Sequence, residues 1–418
     1  MEILSHVERL VCSKCGTGYE PDENQVMCRK KDFGRLDIIY DYDAISEGFT
    51  KDSLRSKSER DVWRYEELLP APTKFAVRLG EGGTPLIRAR RLGEKLGMKS
   101  LYLKDETRNP SASFKDRAMA VGIAKAVEMG KKDVAIASSG NAAASLAAYS
   151  AAAGIRCHAF VPPDAGTGKI AQLLLFGASI TKCEQEKEGE DSTVQAMLEA
   201  VERHRYYPCP SFGPFNPYQV EGPKTMAYEL YEQRNWESLD AVLVPTGSGC
   251  LLTGIWKGLR DFKELGLIDS YPRIIAVQPQ GNQALVRAIR KGTGMEKLVP
   301  EPFPASVAGG LLDPYPWDGD AAITGVKTTG GTGISVSDRE ILRSVKELAA
   351  YEGIFAEPSG AAGLAGLERL LSEGDIKRSD RVAVLVTGSG LKEPDRAIEM
   401  TKKRGVGDAG EKRTARPG

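Results

Sequence analysis

Lys115 is the residue in this chain best placed for covalent chemistry. It lies in Asn109-Pro110-Ser111-Ala112-Ser113-Phe114-Lys115-Asp116-Arg117, after small and turn-forming residues and before an amphipathic run at 118–129. A lysine amine can condense with a carbonyl where its surroundings favour the free base, and a helix start disfavours an ammonium while favouring nearby anions. A lone lysine of this kind is ordinarily a solvated surface charge, so the neighbouring motifs carry the argument. Ser138-Ser139-Gly140-Asn141-Ala142-Ala143 opens another helical pattern, Thr246-Gly247-Ser248-Gly249-Cys250-Leu251 follows one β-rich run, and Thr387-Gly388-Ser389-Gly390 follows a second. Small residues let backbone N–H groups converge, and a helix N-terminus adds its dipole, so the Gly247 turn suits a phosphate. Ser138 to Ala142 offers hydroxyl, amide and unpaired helix N–H donors to a carboxylate, although a plain helix cap uses the same residue types. Thr387 adds a hydroxyl at the end of a buried strand. The combined chemistry is capture of a phosphorylated carbonyl compound on Lys115, beside a site for a carboxylate.

Such motifs need a frame that gathers strand ends. From about residue 95 to 400, β-rich runs such as 100–103, 134–137, 157–161, 241–244, 274–277 and 382–386 alternate with helical patterns. This alternation predicts an α/β fold of doubly wound, mostly parallel sheets with helices on both faces. Ligands bind such sheets beyond the carboxyl ends of the strands, where the Ser138, Thr246 and Thr387 turns all fall. Ala165-Gly166-Thr167-Gly168-Lys169 lacks the glycine spacing and the following Ser/Thr of a nucleotide loop.

Composition removes other functions. The 57 basic residues balance 57 acidic ones, which supplies no attraction for nucleic acid or an anionic membrane. No apolar run approaches the roughly 20 residues of a membrane span. Met1-Glu2-Ile3-Leu4-Ser5-His6 has no basic and apolar leader pattern, and the seven cysteines read as reduced thiols of a cytoplasmic protein. With only His6, His158 and His204, a histidine metal centre or a Ser-His-Asp triad is not expected. The N-terminal segment stands apart. Cys12-Ser13-Lys14-Cys15-Gly16 and Cys28 precede a strand pattern at 36–42, like a small zinc ribbon. Lys30 and Lys31 occupy the places of a fourth cysteine, so the expectation is a degenerate ribbon without zinc. The alternative is that His6 or Asp32 completes a site with Cys12, Cys15 and Cys28.

In this order the motifs resemble the fold type II, tryptophan synthase β-like, pyridoxal phosphate enzymes, and among them the threonine synthases. The resemblance spans nearly the whole chain. It includes Glu81-Gly82-Gly83-Thr84-Pro85-Leu86, Gly168-Lys169-Ile170-Ala171-Gln172, Asn216-Pro217-Tyr218 with Glu221-Gly222-Pro223-Lys224-Thr225, and the residues from Thr387 to Asp395. It implies pyridoxal phosphate as cofactor, carried as an imine on Lys115 beside Phe114. It further implies Asn141 at the cofactor 3′-oxygen, Gly247, Ser248, Gly249, Cys250 and Leu251 around its phosphate, and Thr387 at its ring nitrogen. Ser138, Ser139, Gly140, Asn141 and Ala142 would face a small amino-acid substrate. The expected organisation is a ribbon-like segment at 1–45, a large cofactor domain from 46–118 and 226–405, a small substrate-binding domain at 119–225, and a disordered tail at 406–418. A homodimer is expected.

The implied reaction is a lyase conversion of O-phosphohomoserine and water to threonine and phosphate. Two departures weaken it: Gln219 stands where these enzymes commonly have a phosphate-gripping arginine, and Gly213-Pro214-Phe215 replaces polar neighbours. The Gly247-Ser248-Gly249-Cys250-Leu251 and Glu357-Pro358-Ser359-Gly360 motifs also resemble threonine and serine dehydratases. The alternative is therefore β-elimination or β-replacement on an unphosphorylated amino acid, and a non-catalytic cofactor-binding protein is a minor one. A glutamine lacks the two charge-assisted bonds of arginine. Weak turnover of O-phosphohomoserine, improved by Gln219→Arg, is the resulting expectation.

Overall fold

The structure is a computed structural model and describes residues 5–163, 165–184 and 191–401. The tail expected at 406–418 lies outside the described residues. Thirteen strands are described among them: β1 (Val7–Cys12), β2 (Gly18–Tyr19), β3 (Leu36–Tyr40), β4 (Leu86–Arg88), β5 (Leu101–Asp105), β6 (Asp133–Ala137), β7 (Arg156–Val161), β8 (Ser179–Lys182), β9 (Tyr207–Pro208), β10 (Ala241–Pro245), β11 (Arg273–Pro279), β12 (Thr332–Val336) and β13 (Val382–Val386).

A six-stranded sheet has the order β12-β11-β10-β13-β5-β4 and is parallel except for β4, which runs antiparallel to β5. A four-stranded sheet, β8-β7-β6-β9, is wholly parallel. The reason is legible in the strands: β10 and β13 are apolar and buried at every position, as strands covered by helices on both faces must be. The expected mostly parallel α/β architecture is thus the observed one. The turns at Ser138, Thr246 and Thr387 follow β6, β10 and β13, so both sheets send strand ends toward one place.

The helix Tyr218–Glu232 packs between the helices Lys115–Glu128 and Cys250–Glu264. It is buried from Tyr218 to Tyr231, and glycine makes this closeness feasible. A Cβ on Gly222 would lie 1.9 Å from the Arg117 carbonyl oxygen. No described helix is long and apolar enough to cross a membrane.

The N-terminal strands form a separate antiparallel sheet, β2-β1-β3. Its residues join the same apolar cluster as the helices behind the six-stranded sheet. Tyr40 donates to Glu221 Oε2 at 2.8 Å and Tyr42 to Asp261 Oδ1 at 2.6 Å.

Candidate active site

Lys115 is the first residue of the helix Lys115–Glu128, and its position is set by the residues on either side. The Phe114 N–H donates to the Thr387 carbonyl oxygen at 3.0 Å, the Ser389 N–H donates to the Ala112 carbonyl oxygen at 2.9 Å, and Ser113 bridges Gly388. The lysine loop is therefore sewn to the turn after β13. Asp116 draws the loop together by accepting from the Ser111 N–H and hydroxyl, both at 2.6 Å, and from Ser145 at 2.5 Å. Arg117 is fully buried and pairs with Glu106 at 2.8 Å and Glu229 at 2.6 Å. Lys104 meets the other Glu229 oxygen at 2.5 Å. Burial alone would raise the Glu229 pKa, but Arg117 and Lys104 hold it down to about 2. With its neighbours so anchored, half-buried Lys115 points its Nζ at Ser211 Oγ, 2.9 Å away, and lies 5.0 Å from the Phe114 ring centre.

Lys115 opens into a cavity of about 500 Å³. Every residue expected at the site lines it: Phe114, Lys115, Ser138, Ser139, Gly140, Asn141, Ala142, Gly247, Ser248, Gly249, Cys250, Leu251 and Thr387. Two helix starts point there without a side-chain cap, at Gly140 for the helix Asn141–Ala153 and at Gly249 for the helix Cys250–Glu264. Such ends leave N–H donors for an anion. Ser138 does not cap its helix, because its hydroxyl accepts from the Gly140 N–H at 3.1 Å. Asn141 instead donates to Glu357 Oε1 at 2.8 Å. Gly249 holds φ +98°, and a Cβ on Gly247 would lie 2.4 Å from Asp313 Oδ2, so the second turn needs its glycines.

The stretch 77–388, which runs from before β4 past Thr387, matches the family model "Pyridoxal-phosphate dependent enzyme". The chain belongs to this family. This pyridoxal phosphate-dependent enzyme is 39% identical over 394 residues to threonine synthase of Methanocaldococcus jannaschii, covering 94% of this chain and 95% of that one. It is 39% identical over 401 residues to threonine synthase of Methanosarcina acetivorans, covering 96% of each. Its fold is similar to threonine deaminase isoform 2 of Solanum lycopersicum, with a TM-score of 0.65 and 21% identity over 77% of this chain and 88% of that one. The cavity fits the cofactor of the family. It offers an amine at Lys115, an uncapped helix start behind a glycine turn for the phosphate, and an amide at Asn141.

Several residues of this cofactor enzyme escaped the sequence reading. Ser211, at φ +64° and fully buried, holds the Lys115 amine. Glu357, next to Asn141, has its pKa pushed up to about 7 by burial, with Glu393 adding to the effect. Its signal was the Glu357-Pro358 helix opening, read only as a family likeness. Asp313 faces the Gly247 turn; burial pushes it up to about 6, against the opposing influence of Lys115. Asp313 stands in an irregular stretch that carries no motif. Lys169 and Lys392 also line the cavity. Lys169 reaches Glu393 at 3.4 Å, and Lys392 donates to the Ser111 carbonyl oxygen at 2.7 Å.

The reading of Gln219 is corrected. Its side chain is fully buried behind the cavity wall and does not line the cavity. Its Oε1 accepts from the Ser211 N–H at 2.9 Å, so it supports the residue that holds Lys115. Gly213 donates to Asp318, and Phe215 stacks edge-on with Trp317 at 4.9 Å; these positions form wall rather than substrate pocket. Lys224, a conceivable substitute cation, is spent on Glu221 at 2.6 Å and Asp261 at 2.9 Å. At the ribbon, Asp32 lies with Cys12, Cys15 and Cys28 in one cluster, which His6 does not join.

Proposed function

We propose that this enzyme is a threonine synthase, converting O-phosphohomoserine and water to threonine and phosphate. The observation that carries the proposal is the pair Lys169 and Lys392 in the cavity that also holds Lys115. A substrate with both a carboxylate and a phosphate has use for two further cations; serine or threonine does not. The near full-length likeness to two archaeal threonine synthases supports the same reading.

Pyridoxal phosphate, when bound, supplies an electron sink for the substrate α carbon. Gly247 to Leu251 would hold its phosphate through backbone N–H groups, Asn141 would bond its ring oxygen, and Thr387 would meet its ring nitrogen with a hydroxyl that does not enforce protonation. Glu357 keeps the Asn141 amide oriented. Ser139 and the free N–H groups at the start of the helix Asn141–Ala153 bind the substrate carboxylate. Lys115 would anchor the cofactor, and its Nζ, kept close by Ser211 Oγ, would move protons at the substrate α and β carbons. Lys169 and Lys392 hold the phosphate that leaves the γ carbon, and water then adds at the β carbon.

The test supplies purified enzyme with O-phosphohomoserine, threonine or serine. Phosphate release with equimolar threonine is expected, together with a raised KM for O-phosphohomoserine in Lys169→Ala. Oxo-acid and ammonia formation from threonine or serine, without phosphate release from O-phosphohomoserine, would replace this reading with the eliminating one.

A further inference from the structure

We propose that Cys12, Cys15, Cys28 and Asp32 bind one zinc ion that braces the N-terminal sheet and the loop that carries Phe33. One ligand atom from each of the four lies within 4.8 Å of every other. The Sγ atoms of Cys15 and Cys28 are 3.6 Å apart, and Cys12 Sγ is 3.6 Å from each Asp32 oxygen. Zinc–sulfur bonds of about 2.3 Å and zinc–oxygen bonds of about 2.0 Å in a tetrahedron imply edges of roughly 3.8 Å between sulfurs and 3.5 Å between sulfur and oxygen. The Cys15–Cys28 and Cys12–Asp32 pairs already stand near that spacing, and the remaining pairs lie within 4.8 Å. A disulfide requires sulfurs at about 2.05 Å, so Cys15 and Cys28 are not joined, and all the cysteines are free.

The surroundings hold the ligands in place, as outer partners do at metal centres. The Gly34 N–H donates to Asp32 Oδ1 at 2.8 Å, Lys14 Nζ holds the Asp32 carbonyl oxygen at 2.8 Å, and Tyr19 OH donates to Cys28 Sγ at 3.3 Å. Gly34 also clears space: a Cβ there would fall 2.4 Å from Cys12 Sγ. The chain closes the Cys12 to Cys15 knuckle by a Gly16 N–H to Cys12 carbonyl bond of 2.9 Å. The sheet includes a strand of only two residues, and a metal cross-link would stabilise it.

Phe33 joins the site to the cavity wall. Phe33, directly after Asp32, packs on Phe215 at 5.9 Å and Trp317 at 6.0 Å. Trp317 adjoins Asp318, which accepts from Gly213 of that wall. Loss of the ion would free the loop that carries Phe33, while leaving Lys115 and the phosphate turn chemically intact.

Elemental analysis of the full chain, purified from zinc-supplemented medium, should give about one zinc per chain. Cobalt(II) added to the chelator-treated full chain should bind with the same stoichiometry and show the intense visible absorption and thiolate charge-transfer band of tetrahedral cobalt. Cys28→Ser and Asp32→Ala should each weaken cobalt binding at least tenfold, comparable with the loss of a metal ligand or its support. Absence of both stoichiometric zinc and cobalt uptake by the wild-type chain would overturn the site, and unchanged cobalt affinity and spectrum in Asp32→Ala would overturn the fourth ligand. These readouts need no turnover, so they stand or fall separately from the proposed substrate.

Discussion

Glu229 and Glu357 are both buried glutamates near the lysine helix, and their protons behave in opposite ways. Glu229 sits in the wall with Arg117 and Lys104 in direct contact, and is held down to about 2. Glu357 faces the cavity, bonds the neutral amide of Asn141, and is pushed up to about 7. Burial disfavours both carboxylates; only the wall supplies paired cations to overcome it. The lysines repeat the contrast. Lys104 meets Glu229, Gln233 and the Thr84 carbonyl oxygen, whereas Lys115 has the Ser211 hydroxyl as its hydrogen-bond partner among the described residues. The wall spends its charges on one another and becomes a rigid mount. The cavity leaves its groups under-paired, and so available to cofactor and substrate.

The sharpest way to break the comparison is to exchange roles across it. Lys115→Ala should lower turnover by at least about 10²–10⁴-fold with little change in urea stability. Borohydride reduction of the wild type with peptide mapping should place the pyridoxyl label on Lys115, and a label on another lysine would refute its role. Arg117→Met should act through stability instead. It strips a cation from Glu106 and Glu229, and a broken buried pair costs about 3–5 kcal/mol, measurable as a lower urea midpoint.

A pH series separates the two glutamates. Glu357 has a folded pKa above its ordinary value, so its contribution is intact below about pH 4.5 and is lost as pH rises through about 7. Glu357→Gln should remove that loss, giving up to about 3 kcal/mol at pH 8 and nothing near pH 4. Glu229 has a lowered pKa, so its contribution is present above about pH 4.5 and disappears as pH falls toward 2. Acid unfolding at the wall and alkaline loosening at the cavity should therefore respond to different substitutions. The smallest effect should come from Gln219→Leu. It removes the acceptor of the Ser211 N–H at a cost of about 1–3 kcal/mol, yet should leave the KM for O-phosphohomoserine within about twofold. A large rise in KM would return Gln219 to the substrate pocket.

Motif and period in the chain specify much of this architecture. The alternation of apolar runs with helical patterns reads as parallel sheets because strands covered on both faces must be apolar throughout, and β10 and β13 are. The glycine turns after β10 and β13 read as ligand-binding ends for the same reason of geometry. Asp116 and Arg117 were read only as company for the lysine; their function as loop clamp and wall anchor depends on Ser145, Glu106 and Glu229, which no local spacing connects.

The sequence alone determined the class of chemistry, because an amine, a glycine turn and a small-residue helix start are local properties of short segments. Tertiary structure alone decided which side of the wall each polar residue faces. Gln219 turned away from the cavity, Asp313 and Lys392 turned into it, and Asp32 closed on three cysteines. The physical reason is that direction is set by packing among distant elements, whereas residue type and spacing record only what a side chain can do once it arrives.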